Sequence, residues 1–217
     1  SGLTFDIPTK RVSAWADYSG SNNGITQSDK TKQALRYTYD GANDKTRIEF
    51  NGTSDHFIST NNSPIGTAFT MFFVAQVKTD ATENGTYFSF KNSSKELTIG
   101  STNNKLRGLF SDAAGNGDTL SLNASNTSNY HIAVAKFHNK RLYLEFNNTI
   151  SDSVQDSGYN NSTVYNDSTY SLGYQLLGNA TYFLDGNIQE FIIYNESLDD
   201  YKIGQIKSYL NKKYNIY

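Results

Sequence analysis

Cysteine is absent from this 217-residue chain, which removes disulfides, thiolate nucleophiles and Cys-ligated zinc in one step and leaves the compartment open. An excess of one charge is also missing: 19 Lys and Arg stand against 21 Asp and Glu, and no basic block occurs. The electrostatic footprint of a phosphate-backbone binder is therefore lacking, and nucleic acid is not an expected partner. Long apolar runs are missing too. The longest, at 69–75 and 191–194, fall far short of the roughly 20 residues of a membrane-spanning helix, so membrane insertion is not expected. Only three histidines occur, His56, His131 and His138, without a His-x-x-x-His spacing, which leaves a His-rich metal site few ligands. The chain opens Ser1-Gly2 with neither an initiator methionine nor a signal peptide. That opening reads as the scar of a removed tag or segment, so any targeting signal is expected to lie outside it.

What is present is aromatic and polar. Sixteen Tyr and 13 Phe, with only 18% charged residues, supply a core of aromatics carried on strands rather than a Leu-rich helical one. Strand candidates bounded by turn residues recur at 45–51, 69–78, 86–90, 96–100, 106–110, 119–123, 131–137, 141–147, 169–174 and 187–194, the pattern of an all-β sandwich or barrel. Alternation is clearest at 131–137 and 142–146, and His138-Asn139-Lys140 between them predicts a tight hairpin. Near the end the period changes. Ile203, Ile206 and Leu210 fall on one helical face, with Ser197 as cap, Asp199 and Asp200 in the first turn and Lys212 and Lys213 in the last. These predict a helix over 198–212 whose apolar stripe covers part of the sandwich. Residues 3–62 read as the first strands and long loops of the same sandwich. No linker or internal repeat interrupts the chain, so residues 1–217 are expected to form one domain.

Two segments resemble a known family. Val12-Ser13-Ala14-Trp15-Ala16-Asp17-Tyr18-Ser19-Gly20, then Ile48-Glu49-Phe50-Asn51-Gly52-Thr53-Ser54-Asp55-His56-Phe57, resemble the opening of laminin-G-like jelly rolls of the concanavalin A-like lectin and glucanase superfamily. Tyr170-Ser171-Leu172-Gly173, then 182–198 with Asp185-Gly186-Asn187-Ile188-Gln189-Glu190, then the final helix, resemble its close. The resemblance implies a two-sheet antiparallel β-sandwich, a concanavalin A-like jelly roll with one C-terminal α-helix. It implies no particular ligand, because the scaffold carries lectins, hydrolases, lyases, adhesion modules and virion proteins.

Catalysis finds little support among the residues. A retaining glycosidase needs two carboxylates flanking the scissile bond, and no Glu-x-Asp-x-(x)-Glu run occurs. Arg47-Ile48-Glu49, Tyr130-His131-Ile132 and Tyr182-Phe183-Leu184-Asp185-Gly186 follow the order of a jelly-roll polysaccharide lyase. Against that family's pattern, Tyr130 precedes His131 where Gln is expected, Leu184 replaces a Lys, and Ile188 stands where the catalytic Tyr belongs. The expectation is a non-catalytic module binding a glycan or a glycosylated surface receptor, on an extracellular or virion surface and within a larger or oligomeric assembly. A structural domain of such a surface is the alternative. Sugars are held by aromatic faces and amide groups, which points to the polar loop at 152–168 with Tyr159, Asn160, Asn161, Tyr165, Asn166 and Asp167. Tyr18 and Tyr37 are further loop candidates, and Trp15 is assigned to packing. Calcium is the metal that loop oxygens suit, with Asp17, Asp44 and Asp55 as its candidate ligands.

Overall fold

The computed structural model describes residues 2–19, 21, 23–38, 45–59, 68–78, 85–91, 95–102, 105–112, 117–124, 127–139, 141–155, 169–176 and 182–217. Its strands are β1 (Leu3–Phe5), β2 (Val12–Trp15), β3 (Ile25–Thr26), β4 (Leu35–Tyr37), β5 (Arg47–Asn51), β6 (Phe57–Ser59), β7 (Phe69–Val77) and β8 (Gly85–Lys91). They continue with β9 (Lys95–Thr102), β10 (Lys105–Asp112), β11 (Gly117–Asn123), β12 (His131–His138), β13 (Arg141–Phe146), β14 (Thr149–Gln155), β15 (Thr169–Leu172) and β16 (Asp185–Tyr194). A short 3-10 turn at Lys30–Lys32 lies between β3 and β4, and the one α-helix among the described residues, α1 (Asp200–Tyr214), follows β16.

Among the described residues the strands form two antiparallel sheets. The first runs β1-β2-β3-β6-β15-β8-β9-β10-β11 and the second β14-β13-β12-β7-β16-β5-β4. Period-two patterning decides what each strand buries. Met71, Phe73 and Ala75 of β7 and Ala133, Ala135 and Phe137 of β12 face the first sheet, meeting Tyr87, Phe88, Phe90 and Phe110 in the main core. The alternate residues Phe72, Val74, Ile132 and Val134 form a second apolar layer on the outer face. The helix covers that layer with Ile203, Leu210 and Tyr214, preceded by Leu198. The run 191–194 is apolar on both faces for the same reason: Phe191 and Ile193 turn inward, Ile192 and Tyr194 toward the helix.

The helix begins and ends two residues later than the sequence suggested, and its cap is Asp199 rather than Ser197. The Asp199 carboxylate accepts the Lys202 N–H at 2.8 Å. Before it, Leu198 N–H donates to Thr70 Oγ1 at 2.9 Å, so the chain is tied to β7 before it can turn helical. Ile206, expected in the buried stripe, is only half-buried, and Tyr214 replaces it. Lys207 to Glu145 at 2.8 Å and Lys213 to Glu190 at 2.7 Å pin the helix to β13 and β16.

The hairpin read at 138–140 turns at Asn139 with φ of 49°, where His138 pairs with Arg141. A second turn at Asn147, φ 51°, leads into β14, so residues 152–155 belong to a strand and not to the expected long loop. Because β14 stands at the edge of its sheet among the described residues, paired there with β13 alone, it does not need the apolar signature of a central strand. Between β5 and β6 the chain changes sheets. Asn51 Oδ1 accepts the N–H groups of Thr53, Ser54 and Asp55, while Gly52 takes a φ of 74° and donates to the Leu184 carbonyl at 2.9 Å. The Asn-Gly-x-x-Asp motif is thus a corner. No helix among the described residues is long and apolar enough to cross a membrane.

Candidate functional site

The β5 and β16 strands differ in length, and the difference opens a cleft. Only residues 185–188 of β16 pair with β5, whereas the strand stays paired with β7 as far as Tyr194. The register against β7 shifts between Ile188 and Glu190, a bulge at the point where β5 leaves. Beyond it, along the edge of β16, lies a cavity of about 870 Å³. Its inner wall is apolar, with Leu3, Trp15, Ile25, Tyr170, Phe191 and Ile193, and its rim carries Asp17, Tyr18, Asn23, Lys45, Glu190 and Asn195.

The rim is held by short-range bonds. Asp17 accepts the Ser19 N–H at 2.7 Å, the Ser19 hydroxyl at 2.8 Å and the Asn23 N–H at 3.0 Å. Partial burial raises the Asp17 carboxyl, but these three donors outweigh it and hold the group below its ordinary value. The Tyr170 hydroxyl donates to the Asn23 carbonyl from beneath. The segment 15–19 is therefore a self-organised turn, with Tyr18 left 77% exposed beside the opening. On the far side the Tyr214 hydroxyl donates to Glu190 Oε2 at 2.5 Å, where Lys213 also binds.

The expected site residues fall in separate places. Tyr159, Asn160, Asn161, Tyr165, Asn166, Asp167 and Asp44 lie outside the described residues. Asp17 sits on the cleft rim. Asp55 is buried in the β5–β6 corner, where its Oδ2 accepts the Asn51 N–H at 3.2 Å. Among the described residues no three His, Cys, Asp or Glu side chains gather closely enough to hold a metal ion. Trp15 is both packed against the core and part of the cleft wall. Sequence reasoning did not single out Tyr170, Phe191, Ile193 or the Glu190–Lys213–Tyr214 group. The one visible signal was the apolar run at 191–194, whose residues are half-buried against both layers.

The lyase-like residues are not brought together. His131 shares the inward parity of Ala133 and Phe137 and is fully buried, whereas Arg47 alternates with the core residues Ile48 and Phe50 and so faces outward. Arg47 and His131 therefore stand on opposite faces of one sheet. His131 Nδ1 donates to the Asn129 carbonyl at 3.0 Å and Nε2 accepts from the Tyr87 hydroxyl at 3.0 Å. Burial pushes the imidazole down to about 4. In the same way burial raises the Asp55 carboxyl to about 6, against the opposing Asn51 N–H bond.

These two groups make opposite contributions to acid stability. The unfolded chain protonates His131 near 6.5 and the folded one only near 4, so stability falls by roughly 3 kcal/mol as pH drops across that window. Asp55 is protonated in the folded chain near 6 and in the unfolded one near 3.8, so its contribution grows as pH drops from 6 to 3.8. Melting curves from pH 7 to 4 are expected to show Asp55→Asn losing stability in acid faster than wild type and His131→Gln losing it more slowly. Parallel curves for the three proteins would contradict this.

No protein-family model matches the chain, and no curated protein matches it in sequence. Solved structures do. The binding domain of Paraclostridial Mosquitocidal Protein 1 superposes with a TM-score of 0.65 at 18% identity, over 97% of this chain and 52% of that one. The botulinum neurotoxin serotype D binding domain gives 0.60 at 12% identity, over 93% and 51%. Domains LG4-5 of the mouse laminin alpha1 chain give 0.56 at 15% identity, over 75% and 44%. The chain thus spans about half the length of the structures it matches. Its fold is the laminin-G-like, concanavalin A-like jelly roll.

Proposed function

We propose that residues 1–217 act as one non-catalytic module that attaches an extracellular, microbial, phage or virion surface to a glycan-bearing receptor, with the cleft beside β16 as its contact point. The observation that carries this reading is the cleft itself: a preformed apolar hollow with aromatic walls and a rim of amide, hydroxyl and carboxylate groups. At the rim the exposed face of Tyr18 suits the C–H face of a sugar, and Ser19, Ser21, Asn23 and Asn195 suit its hydroxyls. The carboxylates at the rim are already committed, Asp17 to its own turn and Glu190 to Lys213 and Tyr214. Such a site holds a ligand without offering it a free acid and base. Similar folds, one named as the receptor binding domain of botulinum neurotoxin D and one as the binding domain of botulinum neurotoxin DC in complex with rat synaptotagmin II, support the reading by analogy of fold.

Tyr159, Asn160, Asn161, Tyr165, Asn166 and Asp167 are proposed as a second contact. A glycan array, run with and without calcium, tests the whole reading. Binding is expected in the micromolar to millimolar range per site, since a shallow, open rim offers few buried contacts. Tyr18→Ala should weaken it about fivefold or more while moving Tm by no more than about 2 °C, because the side chain is exposed. Tyr159→Ala and Tyr165→Ala report on the second contact. Release of reducing sugar or unsaturated uronate by the wild-type protein would end the non-catalytic reading.

A further inference from the structure

The cleft is not only apolar; it runs along an open strand edge. All seven residues from Gln189 to Asn195 line it, those turned inward and those turned outward alike. A cavity touches both faces of a strand only when it lies beside the strand in the plane of the sheet. That position is where β5 would continue had it not ended at Arg47.

The register shows which backbone groups face this space. Lys78 N–H donates to the Asp185 carbonyl, and Val77 N–H points the other way, to Thr127. The even-numbered residues of β7 therefore bond to β16, which assigns Glu190, Ile192 and Tyr194 to Val74, Phe72 and Thr70. The N–H and C=O groups of Phe191 and Ile193 are left pointing into the cleft. No strand among the described residues pairs with them there.

This deepens the receptor-binding reading and rests on it: we infer that the cleft accepts an extended peptide segment of the partner protein, which adds as a strand to the 190–194 edge of β16. A five-residue segment spans about 17 Å. Its backbone would complete the open bonds of Phe191 and Ile193. Its inward side chains would enter the apolar wall of Leu3, Trp15 and Tyr170, so they are apolar. The alternate ones would meet Glu190, Lys213 and Tyr214, so they are polar. An acyl chain fits the apolar wall equally well but leaves four backbone polar groups unbonded in an apolar hollow, which disfavours it.

The test uses the full chain and a library of end-blocked nonapeptides with aliphatic residues at alternate positions and threonine or glutamine between, read by fluorescence anisotropy. Members are expected to bind in the micromolar to millimolar range. In the best binder, single N-methylations should weaken binding about tenfold at alternate positions and hardly at all between them. Hydrogen exchange at Phe191 and Ile193 should slow when peptide is added, while Ile192 is already protected. Ile193→Pro removes a donor on the open edge without touching the β7 ladder, and should cut peptide binding about tenfold. Glycan binding by the wild-type protein without any peptide binding leaves the receptor reading intact and sinks the strand claim; peptide binding without any glycan binding does the reverse. The inference is overturned if no library member binds, if N-methylation lacks the two-residue period, if dodecanoate binds where peptides do not, or if sedimentation shows a second copy of the chain protecting Phe191 and Ile193.

Discussion

Leu210→Ala is expected to lower Tm by roughly 5–15 °C. The side chain is fully buried and sits in the outer apolar layer with Phe72, Val74, Ile132 and Val134. Truncation removes its transfer free energy and leaves a hollow between a helix and a sheet that cannot close together easily, about 2–5 kcal/mol in comparable cores. In a domain of this size each kcal/mol moves Tm by about 2–4 °C. The lost contacts also loosen Lys207 and Lys213, whose pairs with Glu145 and Glu190 hold only while the helix is seated. Thermal melts followed by near-ultraviolet circular dichroism give the answer, and a shift of under 2 °C would mean that the helix is not docked as described.

The second large effect comes from a methyl group. A Cβ on Gly186 would overlap the Gln76 carbonyl oxygen and come within 3.1 Å of Val77 Cα, both on the neighbouring β7. Neither backbone can move, because β7 and β16 are central strands of the second sheet. Gly186→Ala is expected to cost about 3 kcal/mol or more, enough to show as lost soluble yield. Gly204, in contrast, has nothing within 4 Å of an added Cβ and lies inside α1. The same change there should stabilise by about 0.5–1 kcal/mol through helix propensity. Opposite signs for these two variants, measured side by side in denaturant, separate packing from backbone entropy; equal signs would contradict the assignment of Gly186 to a close strand contact.

The contrast bears on what could be read from the chain alone. From residue 69 onward most strands were legible within one or two residues, because turn residues bound each run of aromatic and β-branched ones. The two-sided burial of 191–194 was legible as well, since four consecutive apolar residues can be satisfied only between two layers. The helix boundary slipped because Ser197 and Asp199 are equally good caps locally, and the choice is made by a bond from Leu198 to Thr70, far away in sequence. The short strands β1 to β4 carry two to four residues each, too few to show a period. The fully buried carboxylate of Glu96 was illegible too. It accepts the Leu176 N–H at 2.7 Å and the Gln175 amide at 3.0 Å, partners that only the fold brings near. The cleft is the clearest case, for it arises from where β5 stops relative to β16, and no local pattern encodes a register between distant strands.

The central place of β16 also sets the order in which the chain can assemble. Residue 185 pairs with residue 51 and residue 194 with residue 70, so the second sheet stays in two pieces until the last strand arrives. Loops of that length are slow to close, and folding dominated by such pairings runs on the scale of milliseconds to seconds. Until then β7 and β5 are both open edges carrying apolar residues. At high concentration during refolding they are where one molecule would first recruit another.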